Sequence, residues 1–393
     1  MRTRYWAGLA VAAFCLTGCK GFFDALPSTG GGGGGTGTTT LSSGDIYVLN
    51  VATSQMVGLF VNAGKLTTLP GSPYTLSAAP IAIAVAPNDA SLYVSTLGGI
   101  FVYNIDTSTG QLTIGNSGQP ISSDPATSMQ VDSTSTWLVE GVSGASNLFA
   151  IHVSASTGLL ASNTEQTVVL PSTTLEQVAI SPDNTFVLAA IGSAGTATVP
   201  FNPNNANPFG TVGTINVKNA NGAALSVAFD PVVTGSTAPR LFYIGETVAT
   251  SGSNTGGLRA FNFSTVKEIT GSPFAIGGLA PSSILPLSTG DFVYVVSKQT
   301  SSGATGVIAG FSITSANSAL TLTALSSGFA TGANPQALVE DSTHTFVFAA
   351  DFGGSPDLIG YNFDATKAGN LDPVISNATG TDPVQAGAVA ALH

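Results

Sequence analysis

Charged residues at the ends of predicted strands are the first candidates for chemistry in this chain. Glu246 and Asp351 stand at equivalent places in two copies of an internal repeat, and Ser297-Lys298 stands there in the copy between them. Glu140 stands two residues earlier in another copy. Carboxylates beside an amine can hold a polar ligand or activate a water molecule. We expect these residues to line the mouth of a central channel; the alternative is that they are ordinary solvated loop charges.

Two further charged residues occupy positions that are apolar in the other copies of the repeat. Arg259 lies two residues before a third-strand aromatic, where other copies carry Phe or Ile. An arginine there can bind a carboxylate or phosphate through two hydrogen bonds, or it can reach solvent from an outer strand. Glu340 stands in a first-strand column of apolar residues, and we expect it to be partly buried near the channel, with a raised pKa unless it is paired. A slip of one residue would turn Val339 inward instead.

The histidines are weak candidates for catalysis. His152 fills a slot that other copies fill with Asn or Ser, His344 lies in a hairpin turn and should be solvated, and His393 ends the chain. The sequence contains no His/Cys pair and no calcium-loop spacing, so we expect no metal. We expect no cofactor either; a quinone-dependent redox propeller is disfavoured because only Trp137 remains as a tryptophan once the N-terminal segment is removed.

A repeat of about fifty residues must position these side chains. Each copy has an apolar strand, a polar turn and a second strand rich in bulky side chains. The clearest copies are Ile83–Val94, Met129–Glu140, Val178–Ala189 and Leu338–Ala349. The first strands align as Val85, Val131, Ile180, Phe229, Leu287 and Glu340. The second strands align as Ile46, Leu92, Trp137, Phe186, Leu241, Phe292 and Phe346, followed two residues later by Val48, Val94, Val139, Leu188, Tyr243, Tyr294 and Phe348.

Third and fourth strands complete each copy, so the sequence predicts an all-β, seven-bladed β-propeller of four-stranded blades. The first copy begins at Asp45 with its second strand, and the tail from Pro383 to His393 has the pattern of a further first strand. We expect this C-terminal strand to complete the first blade and close the ring. A β-helix or a pair of β-sandwiches is the competing architecture, but neither explains the half-repeats at the two ends.

The composition favours strands and a soluble surface. Only 8% of the residues are charged, 43% are apolar, and glycine contributes 47 of 393 residues. The net charge is −11. Loss of Arg2 and Arg4 with a leader would leave 8 basic against 21 acidic residues, which is −13. Such a chain repels nucleic acid and anionic lipid, so we expect no nucleic-acid partner.

The N-terminal segment has the features of an export signal. Arg2 and Arg4 precede an apolar run too short to span a bilayer, Tyr5–Leu16. The following Leu16-Thr17-Gly18-Cys19 resembles the lipobox of bacterial lipoproteins, which implies cleavage before Cys19 and lipid attachment to its thiol. The alternative is an ordinary secretory signal with a chance cysteine. An aspartate directly after the lipidated cysteine would favour retention in the inner membrane. Lys20 occupies that position, so we expect the protein in the outer membrane or at the cell surface.

These features define three segments. Residues 1–18 are the predicted lipoprotein signal peptide, residues 19–44 carry the lipidated Cys19 and a flexible Gly/Thr-rich tether, and residues 45–393 form the propeller. Cys15 leaves with the signal peptide, so the exported chain has one acylated cysteine and forms no disulfide. We expect a monomer held to the membrane through Cys19, with an envelope protein, a carbohydrate or another small molecule as its partner.

The hairpin Ser181–Leu188, the segment Tyr103–Leu112 and the turn Gly271–Phe274 resemble the seven-bladed propellers of the lactonase-like group, which includes 6-phosphogluconolactonase-like proteins. The resemblance covers residues 45–393 and implies the propeller fold together with hydrolysis of sugar lactones. The catalytic residues proposed for that group have no counterparts that we could place here. Whether the chain is an enzyme therefore stays open: the first hypothesis is a module that binds a ligand or partner on its loop face, and the alternative is a lactone hydrolase at the channel mouth.

Overall fold

The computed structural model describes residues 44–62, 65–233, 235–249, 255–298, 305–316, 319–325, 328–353, 356–376 and 382–393. Thirty strands and one 3-10 turn, Asn116–Gly118, account for the regular structure of these segments, so the predicted all-β class is confirmed. No helix among the described residues is long and apolar enough to cross a membrane. The predictions about Cys19, the signal peptide and the tether lie outside the described residues.

The strands form six antiparallel sheets that divide into seven units, which we number as blades 1 to 7; five of these units have four strands, and blades 1 and 5 each have a short fifth strand. Blade 1 contains β1 (Ile46–Asn50), β2 (Gln55–Asn62), β3 (Lys65–Thr68) and the short β4 (Tyr74–Thr75). Blade 2 contains β5 (Pro80–Val85), β6 (Ser91–Thr96), β7 (Gly99–Ile105) and β8 (Leu112–Ile114). Blade 3 contains β9 (Ser128–Val131), β10 (Trp137–Gly141), β11 (Asn147–His152) and β12 (Gln166–Val169). Blade 4 contains β13 (Gln177–Ile180), β14 (Phe186–Ala190), β15 (Thr196–Pro200) and β16 (Gly213–Ile215).

The C-terminal half continues the same order. Blade 5 contains β17 (Ala224–Phe229), β18 (Leu241–Glu246), β19 (Gly257–Asn262), β20 (Lys267–Glu268) and β21 (Phe274–Ala275). Blade 6 contains β22 (Ala280–Pro286), β23 (Phe292–Lys298), β24 (Thr305–Ala316) and β25 (Ala319–Ala324). Blade 7 contains β26 (Phe329–Glu340), β27 (Phe346–Gly353), β28 (Leu358–Phe363) and β29 (Leu371–Ser376). The last strand, β30 (Ala386–Ala391), belongs to blade 1.

Blades 6 and 7 are joined into one eight-stranded sheet because the first part of β26 pairs with β24 before β26 becomes the inner strand of blade 7. The C-terminal strand β30 pairs antiparallel with β1, which places Ile46 opposite Ala391 and Val48 opposite Val389. This strand is the inner strand of blade 1.

The core lies between blades rather than beneath one sheet. The described residues form seven buried apolar clusters, and each draws its residues from two neighbouring blades, including blades 7 and 1. Successive residues of a strand therefore face opposite neighbours: Leu338 packs towards blade 6, and Val339 packs towards blade 1. Both faces of a blade are buried, so a polar side chain on either face needs a partner.

The strand pairings correct two of the predicted alignments by one residue. Pro286, not Leu287, is paired like the first-strand residues Val85 and Glu340. In the second strands, Ile46 and Leu92 are equivalent to Leu138 and Val187 rather than to Trp137 and Phe186. The sequence alignment matched bulky side chains with one another. In blades 1 and 2, however, Asp45 and Ser91 occupy the position at which later blades carry a bulky side chain.

The corrected register shows why four second strands carry a buried tyrosine in the same slot. Those tyrosines are Tyr47, Tyr93, Tyr243 and Tyr294. Three of them donate a hydrogen bond to a glycine carbonyl in a hairpin of the next blade: Tyr47 to Gly110 at 2.6 Å, Tyr93 to Gly158 at 3.0 Å and Tyr294 to Gly369 at 2.6 Å. We call each such pair a Tyr–Gly staple.

The glycines of the staples are required for two physical reasons. Gly110, Gly158 and Gly369 have positive φ values of 68°, 67° and 80°, which a side chain disfavours. A Cβ atom at each would also collide with the preceding blade, for example with the Asp45 carboxylate at Gly110. The Thr-Gly of the predicted Tyr103–Leu112 motif is therefore a seam contact between blades.

Candidate functional site

The inner strands of the blades surround a central channel of about 630 Å³. It is lined by residues of the inner strands β5, β9, β13, β17, β22, β26 and β30 and by residues that flank them. These strands run side by side, so their edges present backbone groups that no ladder pairs. The channel volume lies in the range of small-molecule sites.

Side chains on the channel wall satisfy part of these backbone edges. The Ile180 amide donates to the Gln130 side-chain oxygen at 2.8 Å, and the Val227 amide donates to the Gln177 oxygen at 2.9 Å. Both acceptor oxygens are therefore used within the scaffold. Among the described residues the structure records no partner for either glutamine NH2 group, which leaves two donor groups on the wall.

Glu176 supplies the negative charge of the channel. Its backbone amide is bonded to Ala190, which fixes the residue directly before β13, and its side chain is exposed at the channel end where the inner strands begin. No hydrogen bond or ion pair of its carboxylate is recorded within the described part of the chain. No lysine, arginine or histidine is among the described residues that line the channel. The wall thus combines hydroxyl, amide and carboxylate groups without a positive charge.

The residues predicted for the channel mouth are elsewhere. None of Glu140, Glu246, Asp351, Glu340 and Arg259 lines the channel. Lys298 ends β23, and its side chain lies outside the described part. Glu140, Glu246 and Asp351 are buried instead, each with at most 1% of its surface exposed.

Glu246 and Arg259 form a buried ion pair inside blade 5. The Arg259 Nη1 lies 2.6 Å from the Glu246 Oε1, and the two side chains are 7% and 1% exposed. Arg259 also donates to both oxygens of Glu268, at 3.1 and 3.2 Å, and Glu268 binds Lys218 at 2.9 Å. Burial opposes the charge on Arg259, but the bonds from the two glutamates raise its pKa overall. This arginine is occupied and is not available to a ligand.

Asp351 is fully buried, two residues before the end of β27. The Thr331 hydroxyl lies 2.9 Å from its Oδ2. Burial raises the pKa of Asp351 to about 7, although the bonds from Thr331 and from the Gly332 backbone act in the opposite direction. Asp357 and Asp382 add negative charge nearby. A carboxyl held by its own strand neighbours is a structural feature of blade 7, and no group of three potential metal ligands occurs among the described residues.

Glu140 is the least expected of the buried acids. It is 0% exposed, and neither carboxyl oxygen has a hydrogen-bond partner within the described part of the chain. Burial, with smaller contributions from Glu165 and Asp124, raises its pKa to about 8, so the group is largely protonated at neutral pH. In the corrected register the same slot holds Val48, Val94, Ala189, Ile244, Val295 and Ala349. Glu140 is therefore an acidic residue at a position that is apolar in the other blades, and it faces the seam between blades 2 and 3.

Glu340 is paired, not isolated near the channel. Its carboxylate accepts the Ser288 amide at 2.8 Å and the Ser288 hydroxyl at 3.1 Å, and it lies 3.4 Å from His344 Nδ1. Ser288 and His344 are themselves 2.8 Å apart. Ser133 and Asn184 make the equivalent contact between blades 3 and 4. The cluster is thus a turn-to-turn link between two blades, and His344 replaces an asparagine in it.

The other two histidines also have structural roles. The His152 ring packs on Trp137 with a centroid separation of 4.7 Å. His393 contacts Asp89 at 3.1 Å and so fastens the end of the chain to blade 2. As predicted, His344 is largely exposed to solvent, with 55% of its side chain accessible.

Sequence reasoning missed Glu176 as a candidate. The residue precedes its strand by one position and belongs to no column. The signal that could have identified it is the sequence Leu175-Glu176-Gln177 at the start of a strand. In the structure Leu175 is buried, Glu176 is exposed and Gln177 lies on the channel wall. Without the ring, nothing distinguishes such a glutamate from a solvated loop charge.

Comparison with known proteins supports the fold. No model of a protein family matches the chain, and no curated protein matches it in sequence. Among solved structures, a Bacteroides uniformis protein named "putative 6-phosphogluconolactonase" has a TM-score of 0.69 at 14% identity, covering 88% of this chain and 99% of its own. The periplasmic gluconolactonase of Pseudomonas aeruginosa has a TM-score of 0.63 at 14% identity, covering 89% and 99%.

A β-propeller domain from Myceliophteria thermophila has a TM-score of 0.53 at 12% identity, covering 76% of this chain and 85% of its own. These neighbours and the sheet pattern confirm the predicted β-propeller and its likeness to lactonase-like propellers. At such identities the likeness concerns the fold.

Proposed function

We propose that this protein is an exported binding module whose central channel holds a small, neutral, polyhydroxylated ligand, such as a monosaccharide or a sugar lactone. The observation that carries the proposal is the channel itself, a cavity of about 630 Å³ with hydroxyl, amide and carboxylate groups on its wall. Such groups can exchange hydrogen bonds with ligand hydroxyls, while the apolar inner-strand residues contact the ring carbons.

The charge on the wall selects against anions. A phosphate or carboxylate ligand normally meets arginine, lysine or a helix N-terminus. The described wall offers Glu176 instead and no basic residue. A phosphorylated sugar or a sugar acid would therefore meet repulsion, whereas a neutral sugar would not.

Titration calorimetry on the soluble domain, residues 38–393, tests this proposal with glucose, gluconolactone, gluconate and 6-phosphogluconate. We expect binding of a neutral ligand, no binding of the two anions, and at least tenfold weaker binding by Glu176→Gln. Glu165→Gln is the matched control, because Glu165 is an exposed glutamate outside the channel wall. Tighter binding of 6-phosphogluconate than of glucose would refute the assignment.

A second candidate function is hydrolysis of an unphosphorylated sugar lactone. The Pseudomonas aeruginosa neighbour is named as a gluconolactonase, and Glu176 is a carboxylate free to accept a proton from an attacking water molecule. A pH-stat assay with gluconolactone separates the two functions. Acid release that Glu176→Gln abolishes, with binding retained, indicates a hydrolase; a rate equal to that without protein indicates a binding module.

We also place the module in the cell envelope, attached through a lipid on Cys19. The support is the segment Leu16–Cys19 and the following glycine-rich stretch. Mass spectrometry of the protein from membranes should show a diacylglyceryl group on an N-terminal Cys19, and Cys19→Ser should move the protein to the soluble fraction. An unmodified N-terminus at any other residue would contradict the anchor.

A further inference from the structure

The seam between blades 4 and 5 differs from the stapled seams. At the tyrosine slot blade 4 carries Leu188, which has no hydroxyl to donate. At the hairpin position of the staple glycines blade 5 carries Val266, whose amide bonds to the Asn262 carbonyl. Both members of the Tyr–Gly staple are therefore replaced by aliphatic residues at this seam.

Phenylalanine rings surround the space that these replacements leave. Phe263 packs edge-on against Phe186 and Phe229, with centroid separations of 5.9 and 5.8 Å. Phe242 also lines this space, and its ring centroid lies 6.1 Å from that of Phe229. Together with Leu188, Val266 and Thr198 these rings enclose a cavity of about 40 Å³, which we call the Phe pocket.

Size and polarity decide what this pocket can hold. A cavity above roughly 10–15 Å³ has room for a water molecule, but a buried water needs two to four polar partners. The only polar side chain on the described wall is that of Thr198. Water is therefore a poor occupant, and an alkyl group of a few carbon atoms matches the pocket in both volume and polarity.

The backbone at the pocket entrance is strained. Val266 has φ = 54°, a left-handed conformation that is rare for a β-branched residue. The staple glycines adopt the same region of φ without that strain. Val266 is 47% exposed and lines the Phe pocket, so the strained residue lies where the pocket meets solvent. Strained residues persist where surrounding structure holds them, and they are frequent at ligand sites.

From this geometry we propose that the Phe pocket is a second ligand site, which takes a small neutral molecule with a short branched alkyl group. The site is distinct from the proposed sugar site. It shares Phe229 with the channel wall, but Glu176 is not among its lining residues. The proposal depends on the seam alone and stands whether or not the channel binds a sugar.

Saturation-transfer NMR with isobutanol tests the pocket, and glycerol serves as the polar probe of similar size. We expect saturable transfer to the isobutanol methyl groups with a dissociation constant of about 1 mM, and none to glycerol. Leu188→Phe should weaken isobutanol binding at least tenfold by filling the pocket. Phenylalanine is compatible with this slot, because Phe348 occupies it in blade 7.

Leu188→Tyr provides a second filling variant, since tyrosine occupies the slot in four blades. Glu176→Gln should leave isobutanol binding unchanged, which separates this site from the channel. Absence of saturable transfer in the wild-type protein would overturn the proposal. Equal binding by wild type and by a folded Leu188→Phe or Leu188→Tyr variant would overturn it as well.

Discussion

Replacing Glu140 with valine should stabilise the protein, and the gain should grow with pH. In the native state the pKa of this carboxyl is raised from 4.5 to about 8 by burial. The unfolded chain therefore releases the proton at a lower pH than the native protein does. The contribution of this group to the free energy of unfolding is therefore fully present below about pH 4.5. It falls as the pH rises towards 8 and is lost at higher pH.

The magnitude follows from the shift. One pKa unit corresponds to about 1.4 kcal/mol, so the full effect is about 5 kcal/mol, of which about 3–4 kcal/mol falls between pH 5 and pH 8. Valine is the residue at the same slot in three other blades, at Val48, Val94 and Val295. Its smaller volume should cost about 1 kcal/mol as a cavity. The variant should thus be near wild type at pH 5 and clearly more stable at pH 8.

Urea unfolding at several pH values measures this difference directly. The soluble domain and its Glu140→Val variant should show midpoints that diverge steadily from pH 5 to pH 8. Glu165→Gln is the control, because it removes only a smaller charge contribution to the same pKa. A constant difference between wild type and variant across this range would refute the reasoning, since a purely steric effect does not depend on pH.

Three further predictions concern the contacts between and within blades. Gly110→Ala should destabilise the fold by about 2 kcal/mol or more in thermal melts, whereas Gly144→Ala, also at positive φ but in open space, should cost only the backbone strain of about 1 kcal/mol. Arg259→Met should cost about 3–5 kcal/mol in urea unfolding by leaving Glu246 buried and unpaired, and Lys218→Met should cost less than about 1 kcal/mol; equal losses would contradict the burial argument. A chain truncated after Asp382 lacks β30, and size-exclusion chromatography should show it as an aggregate; a monomeric product with the wild-type melting curve would show that β30 is dispensable.

The architecture could be predicted from the sequence because the repeat is a pattern of neighbouring residues. Strand, turn and strand recur with the same alternation, so their type and order can be aligned without any tertiary information. The register was wrong by one residue where the aligned residue types were misleading, at Asp45 and Ser91. These two residues lie against Gly110 and Gly158 of the next blade, a contact that only the folded ring reveals.

The site was harder to predict because charge in a sequence does not show its partners. Arg259 and Glu340 were correctly singled out as charges in apolar columns, but their partners come from other strands and turns, at Glu246, Glu268 and Ser288. Glu140 was assigned to the channel mouth from its distance to a strand end. Its exact slot, which is apolar in every other blade, becomes visible only when the strand pairings set the register.

The pairing of β30 with β1 also constrains the order in which the strands can pair during folding. It joins residue 46 to residue 391, so the first strand has to wait for the last one, and closing a loop on the order of 350 residues costs about 5 kcal/mol of chain entropy. A chain that leaves its site of synthesis N-terminus first would expose the unpaired edge of β1 throughout. For such a chain the final eleven residues act as a latch, and a chaperone that shields β1 until they emerge would have its largest effect on yield rather than on the stability of the finished ring.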